Sequence, residues 1–206
     1  MSGPAKKGRT QAPLLIFLAG PNGAGKSTFH KVFLAKLGLY FVNADEITRK
    51  TGIPNAESAR AADAIRAELL KTKTSFISET VFSDPEGAKL AFLKDAIAAG
   101  YRVQLVYIGL AHAMLSEARI AMRVKDGGHG VPIERLARRY EQSLENLRTA
   151  AGFVPEVYVY DNSSNEDPFR SVLILKAGRP EFATYPLPPW LAKKLRGQLE
   201  AGIVAP

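Results

Sequence analysis

The sequence predicts one α/β domain of the P-loop NTPase type, with a mainly parallel sheet, helices on both faces of the sheet and a kinase-like lid. Three observations lead to this fold class. Short apolar segments alternate with segments of helical pattern, which is typical of parallel sheets covered by helices. The first apolar segment runs directly into a glycine-rich phosphate-binding motif. A chain of 206 residues has room for one such domain but not for two with linkers.

The phosphate-binding motif follows the first strand candidate, residues 14–19. Its members are Gly20, Pro21, Asn22, Gly23, Ala24, Gly25, Lys26, Ser27 and Thr28, which match G-x-x-x-x-G-K-[ST] throughout. In this motif backbone N–H groups surround the phosphates, the lysine reaches the β- and γ-phosphates, and the Ser27 hydroxyl is placed for Mg²⁺. A glycine-rich turn without a ligand is the alternative, but it would not require a Lys-Ser pair at the start of a helix. We therefore expect ATP or GTP to bind here with Mg²⁺.

The other strand candidates alternate with helix candidates along the rest of the chain. The strand candidates are residues 40–42, 75–78, 103–108, 157–160 and 172–175. The helix candidates are residues 26–37, 56–72, 85–99, 113–125 and 133–150, and a C-terminal helix is expected near residues 189–200. We expect residues 1–12 to form a disordered basic tail and residues 13–206 to form the kinase domain. Functional side chains in such folds gather at the carboxyl ends of the strands.

Asp45 follows the second strand candidate and is therefore expected near the phosphate loop. A carboxylate in that place suits a general base, which orients an acceptor hydroxyl and takes its proton as the γ-phosphoryl group moves. Asp45 also stands just before a short helix-like stretch, where it would act as an N-cap. Its spacing favours neither interpretation over the other.

Two acidic residues compete for the metal side of the site. Glu79 ends the third strand candidate, where it would hold Mg²⁺ or help to position the acceptor. Asp161 ends a strand that resembles a Walker B strand, but Asn162 and two serines follow it, which indicates a loop with Asx turns. We assign Glu79 to the metal side, and Asp161 with Asn162 to the nucleotide-base side or to turn structure.

A lid is expected near residues 119–132. Arg119 and Arg123 are spaced i and i+4, so they share one face of a helix, and a glycine-rich loop containing His129 follows. A closing lid would bring an arginine to the transferring phosphoryl group, and His129 would contact phosphate or cap a helix. Taken alone, each arginine fits a surface salt bridge better, and the loop fits an ordinary connection between helices better. Their joint position after the fourth strand candidate favours the lid.

Charge and composition narrow the choice of partners. The net charge is +8, but part of it comes from the tail and the last helix, and several arginines cluster between residues 119 and 148, which suits a phosphoryl-transfer site, so nucleic acid is not the favoured partner. The chain has no cysteine and only three scattered histidines, which argues against a structural zinc site. No signal-peptide pattern or membrane span is evident, so we expect a cytoplasmic protein without membrane contact.

Together, these motifs resemble the zeta toxin family of P-loop kinases, in particular its chromosomal branch, over roughly residues 13–165. The resemblance rests on Gly20 to Thr28, Asn43-Ala44-Asp45-Glu46, Ser78-Glu79-Thr80, Arg119 and Arg123, Gly127-Gly128-His129, Arg138-Arg139-Tyr140 and Asp161-Asn162-Ser163. It implies phosphorylation of the sugar 3′-hydroxyl of UDP-N-acetylglucosamine and control by an antitoxin, which here would be a separate polypeptide that covers the nucleotide site.

The same resemblance implies roles for individual residues. Lys26 would bind phosphate, Asp45 would be the catalytic base, Glu79 would serve the metal network, and Arg119 would stabilise the transferring group. The residues expected to contact the acceptor are Asp45, Asp63, Thr80 and His129. The chain departs from the toxins after Glu79, where it lacks the family's glycine and arginine, and at His129, which replaces a second arginine that Arg123 or Arg139 would then supply.

The leading hypothesis is an NTP- and Mg²⁺-dependent kinase that phosphorylates a hydroxyl of a small molecule. A nucleic-acid end kinase is the first alternative, and a P-loop ATPase without a phosphoryl acceptor is the second. Neither the L-S-G-G-Q signature of a transport ATPase nor the N-K-x-D motif of a GTPase occurs in the sequence.

Overall fold

A seven-stranded sheet forms the centre of the molecule. The computed structural model describes residues 11–125 and 133–202 of the chain. The strands are β1 (Leu14–Ala19), β2 (Tyr40–Val42), β3 (Phe76–Thr80), β4 (Arg102–Gly109), β5 (Glu156–Asp161), β6 (Arg170–Lys176) and β7 (Arg179–Ala183). Their order across the sheet is β2-β3-β1-β4-β5-β6-β7. The first five strands pair in parallel, and β6 and β7 continue the sheet antiparallel.

Helices connect the strands and cover the sheet. They are α1 (Lys26–Phe29), α2 (Ala44–Thr51), α3 (Asn55–Lys71), α4 (Ala88–Ala98), α5 (Ala113–Lys125), α6 (Ile133–Ala151) and α7 (Pro189–Gly202). After α1 the chain continues as a π-helical turn over His30–Leu34 and a 3₁₀ turn over Ala35–Leu37. In the part of the chain that the structure describes, no helix is both long and apolar enough to cross a membrane.

This architecture confirms the predicted fold class, with three differences in detail. The segment 26–37 is helical as expected, but it changes from α to π to 3₁₀ geometry. Strand β3 extends through Thr80, so Glu79 is the next-to-last residue of the strand rather than its end. Strand β7 was not predicted, because its sequence is polar and contains Pro180, a residue that sheets accept at an edge. The tail prediction falls largely on residues 1–10, which lie outside the described residues.

The central strand β1 is buried between β3 and β4, and its last five residues are almost inaccessible to solvent. The parallel register aligns the carboxyl ends of the neighbouring strands. Ala19 pairs with both Thr80 and Tyr107, and Gly109 pairs with Asp161. The loops that follow these strands therefore meet at one edge of the sheet, where open α/β folds bind ligands.

Candidate active site

The loop after β1 approaches its neighbours so closely that glycine is required. At Gly20 (φ +142°) an added Cβ would lie 2.2 Å from the backbone oxygen of Ile108, and at Gly25 (φ +90°) it would lie 2.7 Å from Nδ2 of Asn162. The left-handed Gly25 ends the loop and precedes α1. The glycines of the motif are thus explained by backbone geometry, and the loop presents the N-terminus of a helical segment to its interior.

Lys26 turns back into this loop. Its side chain is buried, and Nζ donates hydrogen bonds of 3.0 Å to the backbone oxygens of both Gly20 and Pro21. A lysine held by backbone carbonyls inside a glycine-rich loop carries its charge where phosphate oxygens bind in this motif. The loop and its lysine therefore fit a nucleoside triphosphate.

Two side chains from distant elements support the loop. Asn162 donates from Nδ2 to the Ala24 oxygen at 2.8 Å, and the Ser116 hydroxyl of α5 donates to the Asn22 oxygen. Asp161 accepts a 3.0 Å hydrogen bond from the backbone of Ser163, which is the Asx turn expected for this segment. Asp161 therefore shapes the turn, and Asn162 connects that turn to the phosphate loop.

Glu79 is the centre of a buried polar cluster beside the loop. The Ser27 hydroxyl donates to both of its carboxylate oxygens at 3.2 and 3.1 Å, and Asn43 Nδ2 donates to Oε2 at 2.8 Å. Burial raises the pKa of Glu79, although the Lys26 charge and the two hydrogen-bond donors oppose the change. The cluster thus joins the first residues of α1, the end of β3 and the start of α2.

Asn43, rather than Asp45, is the N-cap of α2. The Asn43 side-chain oxygen accepts the backbone N–H of Glu46 at 3.2 Å, in the geometry of an N-cap. Asp45 is the second residue of the helix, and its side chain is exposed. Its negative charge is among the smaller causes that raise the pKa of Glu79. Within the described residues, no hydrogen bond to the Asp45 carboxylate is formed.

Asp63, predicted to contact the acceptor, belongs to an ion-pair cluster at the side of β3. Its Oδ1 accepts a 2.6 Å hydrogen bond from Arg66 and another from Lys89. Burial acts to raise the pKa of Asp63, but the hydrogen bonds and charges of Lys89 and Arg66 outweigh it and hold the pKa below its usual value. Thr80, at the end of β3, accepts a hydrogen bond from the backbone of Phe82 at 3.3 Å.

Of the predicted lid residues, the structure describes the Arg119 side chain. Its Nη2 donates to Asn165 Oδ1 at 3.3 Å, and its Cβ lies 3.5 Å from where a Cβ on Gly23 would stand. Burial lowers the pKa of Arg119, against the opposing charge of Asp161. Arg119 thus lies between the phosphate loop and the loop after β5. Arg123 belongs to α5, but its side chain and His129 lie outside the described residues, as does the glycine-rich segment 126–132.

The loop after β3 is held by α6. Ser143 donates to the Val81 oxygen, and Asn146 donates from Nδ2 to the oxygens of Phe82 and Asp84, each at 3.0 Å. By their spacing, Arg139, Ser143 and Asn146 share one helical face. Ser143 and Asn146 reach the loop after Glu79, whereas Arg139 is exposed.

The sequence alone assigns no individual role to three residues of this region, Asn43, Arg66 and Ser116. Asn43 carries the usual N-cap signal, but the neighbouring Asp45 carries the same signal. Arg66 is buried on α3, and Ser116 contacts the phosphate loop from α5. The spacing of Arg66 three residues after Asp63 is the one hint that the sequence offered, because residues i and i+3 meet on a helix.

A cavity of about 320 Å³ lies elsewhere, between the α1 segment and the sheet. Its lining residues are Ile16, Phe29, Phe33, Leu34, Gln104, Val106, Tyr158, Tyr160 and Phe169. None of the residues predicted for catalysis lines this cavity.

Comparison with known proteins assigns the chain to a family. The zeta toxin family matches residues 3–67 and 42–171 of the chain. An uncharacterised protein of Haemophilus influenzae is 29% identical over 130 residues, which are 61% of this chain and 91% of that protein.

Several solved structures share the fold. A chain from the PezAT chromosomal toxin–antitoxin system of Streptococcus pneumoniae matches with a TM-score of 0.60 and 17% identity, over 80% of this chain and 73% of its own length. A chain from the AvrRxo1-ORF1:-ORF2 structure with ATP matches with a TM-score of 0.64 and 16% identity, over 94% and 66%. A chain of the Pnkp1/Rnl/Hen1 RNA repair complex matches with a TM-score of 0.53 and 19% identity, over 71% and 49%.

The structural matches, all below 25% identity, establish the fold, whereas the family match covers most of the chain and all the motifs around the phosphate loop and Glu79. This protein therefore belongs to the zeta toxin family of P-loop kinases, which are nucleotide-dependent phosphotransferases.

Proposed function

We propose that this kinase transfers the γ-phosphoryl group of ATP or GTP to a hydroxyl of a small molecule, and that a UDP-activated amino sugar such as UDP-N-acetylglucosamine is the first acceptor to test. The observation that supports this most directly is the cluster at the carboxyl edge of the sheet. There Lys26 and Ser27 of the phosphate loop meet Glu79, and Asp45 lies on the adjoining helix.

Mg²⁺ fits the donor set of this cluster. The Ser27 hydroxyl and the Glu79 carboxylate are oxygen donors, and Mg²⁺ is commonly held by one or two such protein groups together with substrate phosphates and water. When bound, the ion would neutralise negative charge on the transferring phosphoryl group.

Asp45 is proposed as the general base. Its carboxylate is exposed at the start of α2, so it is accessible to an acceptor hydroxyl. In the reaction the acceptor oxygen forms a bond to the γ-phosphorus, and Asp45 takes the hydroxyl proton. The bond from the γ-phosphorus to the bridging oxygen breaks, leaving ADP or GDP. The Asn43 N-cap frees Asp45 from a capping role and thereby supports this assignment.

Arg119 is proposed to stabilise the transferring group, because it lies beside the phosphate loop and carries a permanent charge. Arg123 and His129 stay proposals for the lid, and Asp63 and Thr80 for acceptor binding. Asp63 is half exposed although two cations hold it, so an acceptor still has access to its carboxylate.

A separate antitoxin protein is the proposed macromolecular partner. A chain of the same fold occurs in the PezAT chromosomal toxin–antitoxin system, which supports the expectation of a protein inhibitor for this family member.

Two observations support an alternative function, the phosphorylation of nucleic-acid ends. The net charge of +8 and the fold shared with a chain of an RNA repair complex favour an oligonucleotide end as the acceptor. The same experiment distinguishes the two acceptors.

The test is transfer of labelled γ-phosphate from ATP or GTP, with Mg²⁺, to a panel of UDP-sugars, free sugars, nucleosides and oligonucleotide ends, with Asp45→Asn as the control. Label on a UDP-sugar that is lost in the control would support the proposal. Label on oligonucleotide ends would replace it with the alternative. Nucleotide hydrolysis without a labelled acceptor in the panel would contradict the UDP-sugar assignment and favour an ATPase.

A further inference from the structure

Arg66 is a buried cation that none of the preceding roles uses. It lies in the third quarter of α3, its side chain is 5% exposed, and its guanidinium reaches the carboxyl end of β3. Nε donates to the Ser78 hydroxyl at 2.7 Å, Nη2 donates to the backbone oxygen of Glu79 at 3.2 Å, and Nη1 donates to Asp63 Oδ1 at 2.6 Å.

These contacts require the planar fork of an arginine. All three nitrogens of the guanidinium donate, each to a different acceptor, and two of the acceptors belong to consecutive residues of β3. A lysine has a single nitrogen at the end of its chain and cannot span the same three positions. Burial of the charge is offset by the Asp63 carboxylate, which Lys89 also contacts from α4.

Arg66 completes the attachment of Glu79. The Glu79 carboxylate is held by Ser27 and Asn43, and its backbone oxygen is held by Arg66. Glu79 is the next-to-last residue of β3, and in the described sheet the strand is paired there with β1 but not with β2, whose pairing ends at Ser78. A donor on the backbone oxygen therefore limits rotation of the peptide that carries the carboxylate.

We propose that Arg66 is a positioning residue of this site, which holds the end of β3 so that the Glu79 carboxylate is directed at the metal and the phosphates. Asp63 acts as its counter-charge, and the Asp63–Arg66–Lys89 cluster couples α3 and α4 to the metal side of the site. This inference rests on the assignment of Glu79 to Mg²⁺ under the proposed function. When a group that hydrogen-bonds to a metal ligand and orients it is removed, metal affinity or activity typically falls about 10- to 100-fold.

The experiment compares Arg66→Gln and Arg66→Lys with the wild type in two assays. The first is nucleotide affinity by calorimetry with Mg²⁺ and with EDTA, and the second is the Mg²⁺ concentration that gives half-maximal phosphoryl transfer. We expect Arg66→Gln to keep the affinity measured in EDTA but to lose most of the gain that Mg²⁺ brings, with a rise of about 10-fold or more in half-saturating Mg²⁺. Arg66→Lys should recover only part of the loss.

Ser58→Ala is the matched control for damage to α3. Ser58 is buried on the same helix, and its hydroxyl accepts a hydrogen bond from Thr48. It should leave both Mg²⁺ readouts unchanged. If Arg66→Gln does not fold, Ser78→Ala removes one partner of the guanidinium and should shift the Mg²⁺ readouts in the same direction by a smaller factor.

Two outcomes overturn the inference. One is an Arg66→Gln protein with wild-type Mg²⁺ dependence or with a change that Ser58→Ala reproduces. The other is a wild-type protein whose nucleotide affinity does not respond to Mg²⁺. An absence of phosphoryl transfer with an intact Mg²⁺ response would contradict only the proposed acceptor, because the calorimetric readout does not need one.

Discussion

Asn43 connects Glu79 to the helix that carries Asp45. Its amide nitrogen lies 2.8 Å from Glu79 Oε2, and its side-chain oxygen caps α2 through the backbone of Glu46. One side chain therefore fixes both the proposed metal ligand and the element that presents the proposed base.

Asn43→Asp separates these two functions. The aspartate keeps the N-cap acceptor but removes the donor to Glu79 and adds a like charge beside it, so we expect turnover to fall about 10-fold or more while most of the folding stability is kept. Steady-state kinetics and urea unfolding of the same preparation measure the two effects. Equal turnover in the variant and the wild type would show that Asn43 acts as a cap alone.

Lys26→Ala is expected to reduce phosphoryl transfer at least about 100-fold, because the lysine supplies charge at the β- and γ-phosphates. Nucleotide affinity should fall as well, since this charge already acts on the bound nucleotide before transfer. Labelled transfer and calorimetry give the two values. Normal activity would refute the assignment of Lys26.

Asp45→Asn should behave differently from Lys26→Ala. It preserves the size of the side chain but removes the proton acceptor, so we expect nucleotide affinity to stay near the wild-type value and kcat to fall about 10²- to 10⁴-fold. The measurement is kcat with saturating acceptor beside nucleotide affinity by calorimetry. A variant with full turnover would exclude Asp45 as the base.

Gly109→Ala tests the packing of α7 against the end of β4. A Cβ at Gly109 would lie 2.1 Å from the Trp190 ring, so the ring must move, at a cost of about 1–3 kcal/mol in the free energy of unfolding. Urea unfolding should show this loss in the wild-type background and a smaller loss in a Trp190→Leu background. An equal loss in both backgrounds would mean that the ring is not what resists the methyl group.

His30 predicts a loss of stability in acid. Its ring stacks on Phe41 at 3.6 Å, and burial lowers its pKa below 6.5 in spite of the nearby Glu46. The unfolded chain therefore binds a proton more readily than the folded protein, so this contribution to stability is complete above pH 6.5 and is lost as the pH falls toward the lower, folded-state pKa. Thermal unfolding of the wild type and His30→Phe at pH 7.5 and 5.5 measures it, and the variant should depend less on pH. The same dependence in both proteins would assign it to other groups.

The sequence predicted those parts of the fold and site that depend on local pattern. The phosphate loop, the strand before it and Glu79 at a strand end are all encoded within short segments, so their gathering at the carboxyl edge follows from the parallel topology. The structure agrees, since Ser27 contacts Glu79.

Features that depend on distant contacts did not follow from local pattern. The role of Arg66 needs the packing of α3 on β3, and an arginine in a polar helix gives no sign of burial. The choice between Asn43 and Asp45 as the N-cap depends on where α2 begins, which two residues with similar capping preference leave undecided. Strand β7 forms by pairing with β6, despite a sequence that lacks an apolar alternation.

The hydrogen bond from Asn162 to the Ala24 oxygen joins residues that are 138 positions apart. Closing so long a loop is slow and entropically costly, so it follows the formation of local elements. The phosphate loop is translated early, yet it obtains this support only after β5 has emerged from the ribosome and paired with β4. We expect a nascent chain that ends before residue 162 to bind nucleotide poorly. The kinase would therefore become active only after most of its chain has been translated.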